Sequence, residues 1–355
     1  MKLVMLVSGF PRRSETFALN ELLALDRAGC LEAVFATKPG EPGPPQPGAE
    51  QLMEKVRVLA PGTPAEQAEE VVERLDGAPV TAVHGYFAHV PTEVAAKAAR
   101  RLGVPYGFSV HALDARKVGR SGLAERAREA ACVIACNPDV AGDLRRAGAP
   151  VHLIPHGVDL ERFRPTPPPP AEVLTILAVG RLVPKKGFAT LLEAGARLLA
   201  PFRLRIVGAG PEREALERRI AELRLGDRVE LAGPRTHDDL PAEFAAAHIV
   251  VVPSVADATG DRDGLPNVVL EAMACARPVI ASDIGAVSSA VIDGRTGVLV
   301  PPGDAEALAG ALEFLVDQPD MRERLGREAR ALVEADYELH SCTARLRAFL
   351  ETVYA

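Results

Sequence analysis

SVADATGDRDGLPNVVLEAMACARPVI, residues 254–280, contains a polar loop, a helix and the start of a strand in that order. It follows a continuous apolar run, 249–253, that is typical of a strand buried on both faces. Good helix formers over 268–276 predict a helix that ends before Pro278. A strand, a polar loop and a helix N-terminus form an anion site in α/β sheets, because unpaired amides and the helix dipole face the loop.

Two carboxylates of this stretch are candidates for a ligand site. Asp263 ends the loop and Glu271 follows eight residues later, about one turn inside the predicted helix, so both side chains can face one ligand. The same spacing also fits a solvated acidic loop and a glutamate on the surface of a helix. Spacing alone therefore leaves both interpretations open.

The composition is that of a soluble globular protein of two domains. The chain has 355 residues, of which 48% are hydrophobic and 25% charged. A net charge of −7 argues against nucleic acid as the main partner. The five cysteines show no metal-ligand spacing, and Cys132 and Cys136 are interpreted as buried small hydrophobes in a reducing cytoplasm. Neither a signal peptide nor an apolar run of roughly 20 residues is found.

Short apolar runs alternate with helical segments along the whole chain, which predicts doubly wound parallel sheets. Five prolines within 165–170 interrupt the alternation and predict a semi-rigid linker over 166–172. The expected architecture is α/β, with Rossmann-like domains over 1–165 and 173–337 whose strand ends face a cleft. The last helix, within 338–355, can pack on either domain, including back on the first.

Basic and small residues follow the predicted strands of the second domain. Arg181 and Lys186 lie five residues apart after Gly180, where a bidentate guanidinium and a point charge suit a diphosphate. A solvated basic loop is the alternative. Gly208 belongs to a Gly-Ala-Gly turn that lacks the third glycine of a dinucleotide motif, so we expect a close backbone approach there. Arg235 follows the next strand on the same side.

The first domain offers fewer candidates. Gly9 follows the first strand, and Ser14 is placed to cap the next helix. His111 directly follows an apolar strand. A lone histidine is more often structural, but its position at a strand end favours a group that faces a ligand. The turn 156–159, His-Gly-Val-Asp, is interpreted as structural.

Several of these stretches together resemble retaining nucleotide-sugar glycosyltransferases of family 4, which have the GT-B fold. The resemblance covers most of the chain and rests on SETFALNE (14–21), HALD (111–114), IPHGVDLERF (154–163), VGRLVPKKG (179–187), IVGAGPEREAL (206–216) and DGLPNVVLEAMACARPVIAS (263–282). The opening and the loop 257–267 are most similar to the subgroup that builds bacterial exopolysaccharides such as colanic acid.

The resemblance implies a role for each candidate residue. Arg181 and Lys186 would hold the donor diphosphate and stabilise the leaving group, and Glu271 would hydrogen-bond the nucleotide ribose. His111 would lie beside the transferred sugar. The positions assigned to donor-sugar hydroxyls are Asp263, Gly264, Leu265 and Pro266. The remaining positions assigned to the nucleotide sugar are Gly9, Gly180, Gly208, Arg235, Asn267 and Val268. The family usually has glutamate where this chain has Asp263, so the resemblance does not identify the donor sugar.

The implied activity moves a hexosyl group, with retention of configuration, from a nucleoside-diphosphate sugar to a saccharide or lipid-linked acceptor in the synthesis of cell-surface polysaccharide or glycoconjugate. Arg181, Lys186 and a helix N-terminus can offset the charge that grows on the leaving phosphate without a metal or another cofactor. Asp261-Arg262-Asp263 is not expected to bind a divalent ion, because Arg262 would oppose it.

Residues 100–128 bear on the location of the protein. They include seven basic and two acidic residues, an excess of +5. We therefore expect a cytoplasmic protein with peripheral contact to an anionic membrane at its inner face. An ordinary solvated face is the alternative.

Two other functional classes fit paired Rossmann-like domains. An NAD-dependent dehydrogenase would need a complete G-x-G-x-x-G turn and an acidic residue roughly 20 positions later, and neither is found. A sugar-nucleotide-binding subunit without catalytic activity stays open as an alternative, because Asp263 departs from the family pattern.

Overall fold

A computed structural model describes residues 1–12, 15–42, 45–167, 170 and 172–355, without the side chains of 112–114 and 116. The chain forms two compact units. The first comprises Met1–Gly157 and Leu339–Ala355, and the second comprises Val158–Glu338. The change of unit thus precedes the proline run that we interpreted as the linker. The boundary lies there because Val158 and Phe163 are buried in the core of the second unit.

The sheet of the first unit has seven parallel strands in the order β3-β2-β1-β4-β5-β6-β7. Their bounds are β1 Leu3–Val7, β2 Leu31–Ala36, β3 Val56–Val58, β4 Ala82–Gly85, β5 Tyr106–Val110, β6 Cys132–Ala135 and β7 His152–Leu153. The second sheet has six parallel strands in the order β10-β9-β8-β11-β12-β13. Their bounds are β8 Leu174–Val179, β9 Phe202–Val207, β10 Val229–Gly233, β11 Ile249–Val252, β12 Val279–Ser282 and β13 Val298–Val300.

Helices connect these strands. Their bounds are α1 Thr16–Arg27, α2 Pro64–Leu75, α3 Val90–Leu102, α4 Ala112–Arg128, α5 Pro138–Arg146, α6 Phe188–Arg197, α7 Arg213–Glu222, α8 Leu240–Ala246, α9 Asn267–Ala274, α10 Ala305–Asp317, α11 Pro319–Asp336 and α12 Leu339–Val353. None of the helices in the described ranges is both long and apolar enough to cross a bilayer. The two sheets confirm the predicted fold class of two doubly wound Rossmann-like domains.

The apolar runs that alternate with helical segments form the strands of both sheets, with ends that differ from the prediction by at most two residues. The helix expected over 268–276 is α9, which ends at Ala274 because Ala276 adopts a left-handed backbone with φ of 54°. Ser14, the expected cap of α1, lies outside the described residues. The last helix, α12, belongs to the first unit, where Leu346, Leu350 and Tyr354 join the core around β1.

Each sheet reverses its strand order once, and that point fixes where loops converge. In the second unit the reversal lies between β8 and β11, which are neighbours in the sheet. The turn 180–187 leaves the carboxyl end of β8, and the loop 253–266 leaves that of β11. Ligands of open α/β sheets bind at such a point, outside the carboxyl ends of the strands.

Candidate functional site

The turn after β8 and the loop after β11 are packed directly together. Gly187 has a φ of 65°, and a Cβ on it would overlap the carbonyl oxygen of Pro253. The amide of Val255 donates to the carbonyl oxygen of Lys185 at 2.9 Å. Only a glycine accommodates both the left-handed backbone and this close approach. Main-chain contacts therefore hold the two segments in register, and their side chains share one site.

Two lysines and two aspartates meet between these segments. Nζ of Lys185 lies 2.9 Å from Oδ2 of Asp261 and 3.5 Å from Oδ1 of Asp263. Nζ of Lys186 lies 2.7 Å from Oδ2 of Asp263, and the hydroxyl of Ser254 donates to the same oxygen at 2.9 Å. Burial acts to raise the pKa of Asp263, but the lysines and the Ser254 hydrogen bond outweigh it and lower that pKa. The Asp263 carboxylate is thus ionised.

Lys185 was missed by the sequence reasoning, which selected Lys186 alone. Its exposed fraction is only 9%, an unusual burial for a lysine, and Asp261 and Asp263 offset its charge. The doubled lysine in VGRLVPKKG was the available signal. It does not show which lysine turns inward, because that depends on a loop more than 70 residues away.

Arg181 lies at the start of the same turn, and its side chain is exposed. Within the described ranges its guanidinium forms neither an ion pair nor a hydrogen bond with another side chain. A diphosphate can therefore bind it without first displacing an internal carboxylate. The four charges of the Lys185, Lys186, Asp261 and Asp263 cluster cancel, so Arg181 supplies the net positive charge of the turn.

Glu271 is buried on the second turn of α9 and has a partner that the sequence did not indicate. Its Oε1 lies 3.3 Å from Nε2 of His237. Nη1 of Arg162 lies 2.6 Å from Nδ1 of the same imidazole. Because the guanidinium can only donate, Nδ1 accepts and Nε2 carries the proton that points to Glu271. The chain Arg162–His237–Glu271 thus fixes the orientation of the carboxylate.

The loop from Asp263 to Val268 leads into α9. The carbonyl oxygen of Gly264 accepts from the amide of Ala286 at 3.1 Å, which ties the loop to the segment after β12. Leu265 is half-buried, Pro266 is the extended residue before the helix, Asn267 is its first residue and Val268 is buried. The helix N-terminus therefore follows the Asp263 loop directly, as the sequence predicted.

Two other predicted positions contact protein groups. Gly208 approaches the backbone closely: a Cβ there would overlap the carbonyl oxygen of Gly180. Arg235 donates from Nε to Oε1 of Glu243 at 2.9 Å, and Glu243 also binds Arg205. The Arg235 guanidinium is thus engaged within the second unit, unlike that of Arg181.

His111 lies in an aromatic cluster of the first unit. Its ring centroid is 5.1 Å from Phe17, 5.1 Å from Tyr86, 4.8 Å from Phe87 and 5.2 Å from His156. Burial, followed by the charge of His156, lowers the pKa of His111 well below its usual value. The imidazole is therefore neutral near pH 7.

His156 is more than a turn residue. Its Nδ1 lies 2.6 Å from Oε1 of Glu21, whose Oε2 accepts from the hydroxyl of Tyr86 at 2.5 Å. Burial acts to lower the pKa of His156, but the carboxylate of Glu21 outweighs it and raises that pKa to about 10. Gly9, by contrast, packs against the backbone near Pro39, where a Cβ would lie 2.8 Å from the carbonyl oxygen.

Comparison with known sequences identifies two families that match adjoining parts of the chain. Residues 14–162 match Glycosyltransferase Family 4, and residues 159–332 match Glycosyl transferases group 1. Together these matches extend across both structural units.

Among curated proteins, an α-D-kanosaminyltransferase of Streptomyces kanamyceticus is 36% identical over 48% of this chain and 44% of its own length. A putative colanic acid biosynthesis glycosyltransferase of Salmonella typhimurium is 33% identical over 60% of this chain and 54% of its own. A D-inositol 3-phosphate glycosyltransferase of Frankia alni is 31% identical over 70% of this chain and 68% of its own. The chain thus spans about half the length of the first two of these relatives.

Solved structures match over nearly the whole chain. HepE of Anabaena, determined in complex with UDP, has a TM-score of 0.84 at 20% identity and covers 99% of both chains. A sucrose-phosphate synthase of Thermosynechococcus elongatus has a TM-score of 0.83 at 26% identity, covering 100% of this chain and 99% of its own. The chain therefore shares the fold of these proteins.

Proposed function

The chain belongs to the family 4 type of glycosyltransferases, and on this premise we propose that it transfers a hexosyl group from a nucleoside-diphosphate sugar. The acceptor is a saccharide or a lipid-linked saccharide, the anomeric configuration is retained, and neither a metal nor another cofactor takes part. The observation that carries the proposal is that the exposed Arg181 lies in the same turn as Lys186, which pairs with Asp263, at the reversal of strand order in the second unit.

The leaving group is the diphosphate. As the bond from the sugar C1 to the phosphate oxygen breaks, its electron pair stays on that oxygen. The oxygen of an acceptor hydroxyl forms the new bond to C1, and the hydroxyl proton passes to the leaving diphosphate. Arg181 offers a bidentate fork and Lys186 a point charge to this growing negative charge. The solved HepE complex with UDP-glucose supports a nucleotide-sugar donor by analogy.

The two carboxylates take separate tasks in this proposal. Asp263, held by lysines on the diphosphate side, contacts donor-sugar hydroxyls together with the loop amides of Gly264 and Leu265. Glu271, held by His237, accepts from the nucleotide ribose. Neither carboxylate is assigned as a nucleophile. His111, neutral in its aromatic cluster, contacts the transferred sugar by hydrogen bonding.

Detectable transfer from a panel of nucleoside-diphosphate sugars tests the activity, and thermal shifts against the same panel identify the donor. We expect stabilisation by one nucleoside diphosphate and turnover of its sugar that excess EDTA does not reduce. Arg218→Ala removes an exposed arginine of α7 and serves as the matched control for Arg181→Ala. Stabilisation without any hydrolysis or transfer would instead identify a sugar-nucleotide-binding subunit, and loss of turnover in EDTA would contradict the metal-free transfer.

We also propose peripheral contact with an anionic membrane, but through fewer basic residues than the sequence indicated. Three of the seven basic residues of 100–128 are paired, in Arg100–Glu129, Arg101–Glu69 and Arg126–Glu93. Lys117, Arg120 and Arg128 are exposed and carry the proposal. The test is cosedimentation with anionic and neutral vesicles at low and high salt. Replacing all three residues with serine should abolish vesicle binding. Replacing Arg100 and Arg101 with serine is the control and should preserve it. Absence of binding to anionic vesicles at low salt contradicts the proposal.

A further inference from the structure

Three metal-ligating side chains of the first unit meet at one point. His111 follows β5, Cys136 follows β6 and His156 follows β7 by a short segment. One ligand atom from each, two imidazole nitrogens and the Sγ, lie within 4.8 Å of one another. They converge because β5, β6 and β7 are neighbours in the parallel sheet, so the segments beyond their carboxyl ends lie side by side.

The separation of the two nearly parallel imidazole rings, whose planes differ by 7°, is compatible with a shared metal ion. Their ring centroids lie 5.2 Å apart. Two imidazoles bound to one tetrahedral zinc ion through bonds of about 2.1 Å have centroids about 5 Å apart. Cys136 and His156 are partly exposed, whereas His111 is buried.

The surroundings of His156 prepare one ring nitrogen for a metal. Nδ1 contacts the Glu21 carboxylate at 2.6 Å, and Tyr86 in turn donates to Glu21. Nε2 is buried and has no hydrogen-bond partner within the part of the chain that the structure describes. Because the pKa of His156 is raised to about 10, a metal ion that binds Nε2 would displace a proton from it. A metal-binding histidine usually donates its other ring N–H to a carboxylate, which fixes the tautomer. Glu21 occupies that position.

We propose that His111, Cys136 and His156 bind one zinc ion, with a fourth coordination position left to water. One thiolate and two imidazoles match the preference of zinc, whereas magnesium and calcium prefer oxygen ligands. No sequence motif indicates this site, because its ligands are far apart along the chain. A bound ion would occupy His111, so zinc should inhibit transfer; this consequence alone rests on the proposed function.

Zinc titration of the chelator-stripped chain of residues 1–355, against a competing chromophoric chelator, tests the site. We expect one equivalent of zinc to bind and magnesium not to compete. Removing a group that hydrogen-bonds a metal ligand typically lowers metal affinity by about 10–100-fold. Cys136→Ser removes a ligand itself, so it should lower zinc affinity by at least about 100-fold. Cys30→Ser alters a buried thiol elsewhere in the same unit and should bind zinc as the wild type does.

Cobalt substitution gives a second readout that does not depend on activity. Cobalt bound at this site should show a thiolate charge-transfer band that is lost in Cys136→Ser and kept in Cys30→Ser. His156→Gln tests the imidazole ligand and should also weaken zinc binding. No stoichiometric binding to the wild type, or equal affinity in the wild type and Cys136→Ser, overturns the proposal. Zinc binding without inhibition leaves the site standing and counts against the role of His111 in transfer.

Discussion

Charge compensation at single residues organises the site of the second unit. Lys185 and Lys186 share the Asp263 carboxylate, and Asp261 completes a cluster without net charge. Removal of one lysine therefore leaves a net negative charge facing an incoming diphosphate. Removal of Arg181 leaves the cluster itself unchanged.

The first prediction concerns these cations. Arg181→Ala and Lys186→Ala should each lower the transfer rate by about 100-fold or more, as the loss of one donor to a developing charge does. Arg181→Ala should leave the melting temperature unchanged because its side chain is exposed. Lys186→Ala should also weaken binding of the free nucleoside diphosphate, which calorimetric titration measures.

Neutralising the neighbouring carboxylate provides the control for Lys186. Asp263→Asn added to Lys186→Ala restores the charge balance of the cluster and should recover nucleotide affinity without recovering the rate. Undiminished activity in both Arg181→Ala and Lys186→Ala would remove these residues from the proposed mechanism.

The second prediction separates the two carboxylates. A missing methylene at Asp263 moves its oxygens by about 1.5 Å, so Asp263→Glu should change relative rates across donor sugars. Asp263→Ala should lose transfer and keep affinity for the free nucleoside diphosphate, since Lys185 and Lys186 remain. Glu271→Ala should lower the affinity for the free nucleoside diphosphate itself. Calorimetric titration of nucleoside diphosphate and initial rates on the donor panel measure these effects. If nucleotide affinity falls equally in the Asp263 and Glu271 variants, the two carboxylates do not have separate roles.

At the scale of elements, the site depends on two loops that leave neighbouring strands. The turn after β8 and the loop after β11 come together because β8 and β11 pair directly in the sheet. Their packing brings Gly187 against the backbone of Pro253, with no room for a side chain. The geometry of the lysine–aspartate cluster thus depends on main-chain contact as well as on charge.

The third prediction tests that contact. Gly187→Ala should destabilise the second unit by at least about 1 kcal/mol, because alanine disfavours a φ of 65° and its Cβ overlaps Pro253. Urea unfolding measures the change. Gly310→Ala, at an exposed and unobstructed position within α10, is the control and should stabilise by up to about 1 kcal/mol. Equal unfolding midpoints for Gly187→Ala and the wild type would show that the loops can separate at no cost.

At the scale of the whole molecule, the chain leaves the first unit at Gly157 and returns to it at Leu339. Leu346 and Leu350 of α12, and Tyr354 directly after it, belong to the core of that unit. The Tyr354 hydroxyl lies 2.9 Å from Nδ1 of His84, a histidine whose pKa burial lowers to about 3. The core of the first unit therefore includes residues from 339–355 as well as from 1–157.

The fourth prediction follows from this closure. Tyr354→Ala should destabilise the first unit by about 3–5 kcal/mol through the cavity it leaves. Tyr354→Phe should cost about 1–3 kcal/mol, because the buried His84 nitrogen loses its partner. Denaturant unfolding monitored by circular dichroism measures both, with Thr352→Ala on the exposed face of α12 as the control. If Tyr354→Ala unfolds like the control, α12 does not stabilise the first unit.

Local sequence patterns were sufficient for the fold class and for part of the site. Short continuous apolar runs predicted the strands of both sheets, because burial on both faces of a parallel sheet requires them. Position relative to a strand end was enough to select Arg181, Lys186 and Asp263, since parallel strands present their carboxyl ends at one edge. These properties involve only residues that are close along the chain.

The tertiary structure alone decided which side chains became partners. Lys185 meets Asp261 and Asp263 across more than 70 residues because β8 lies beside β11. The pairing of Glu271 with His237, the approach of His156 to His111 and the packing of α12 into the first unit likewise depend on elements that are remote in sequence. Hydrophobic periodicity specifies which face of an element is buried, whereas the identity of its neighbour depends on strand order and on burial of the whole unit.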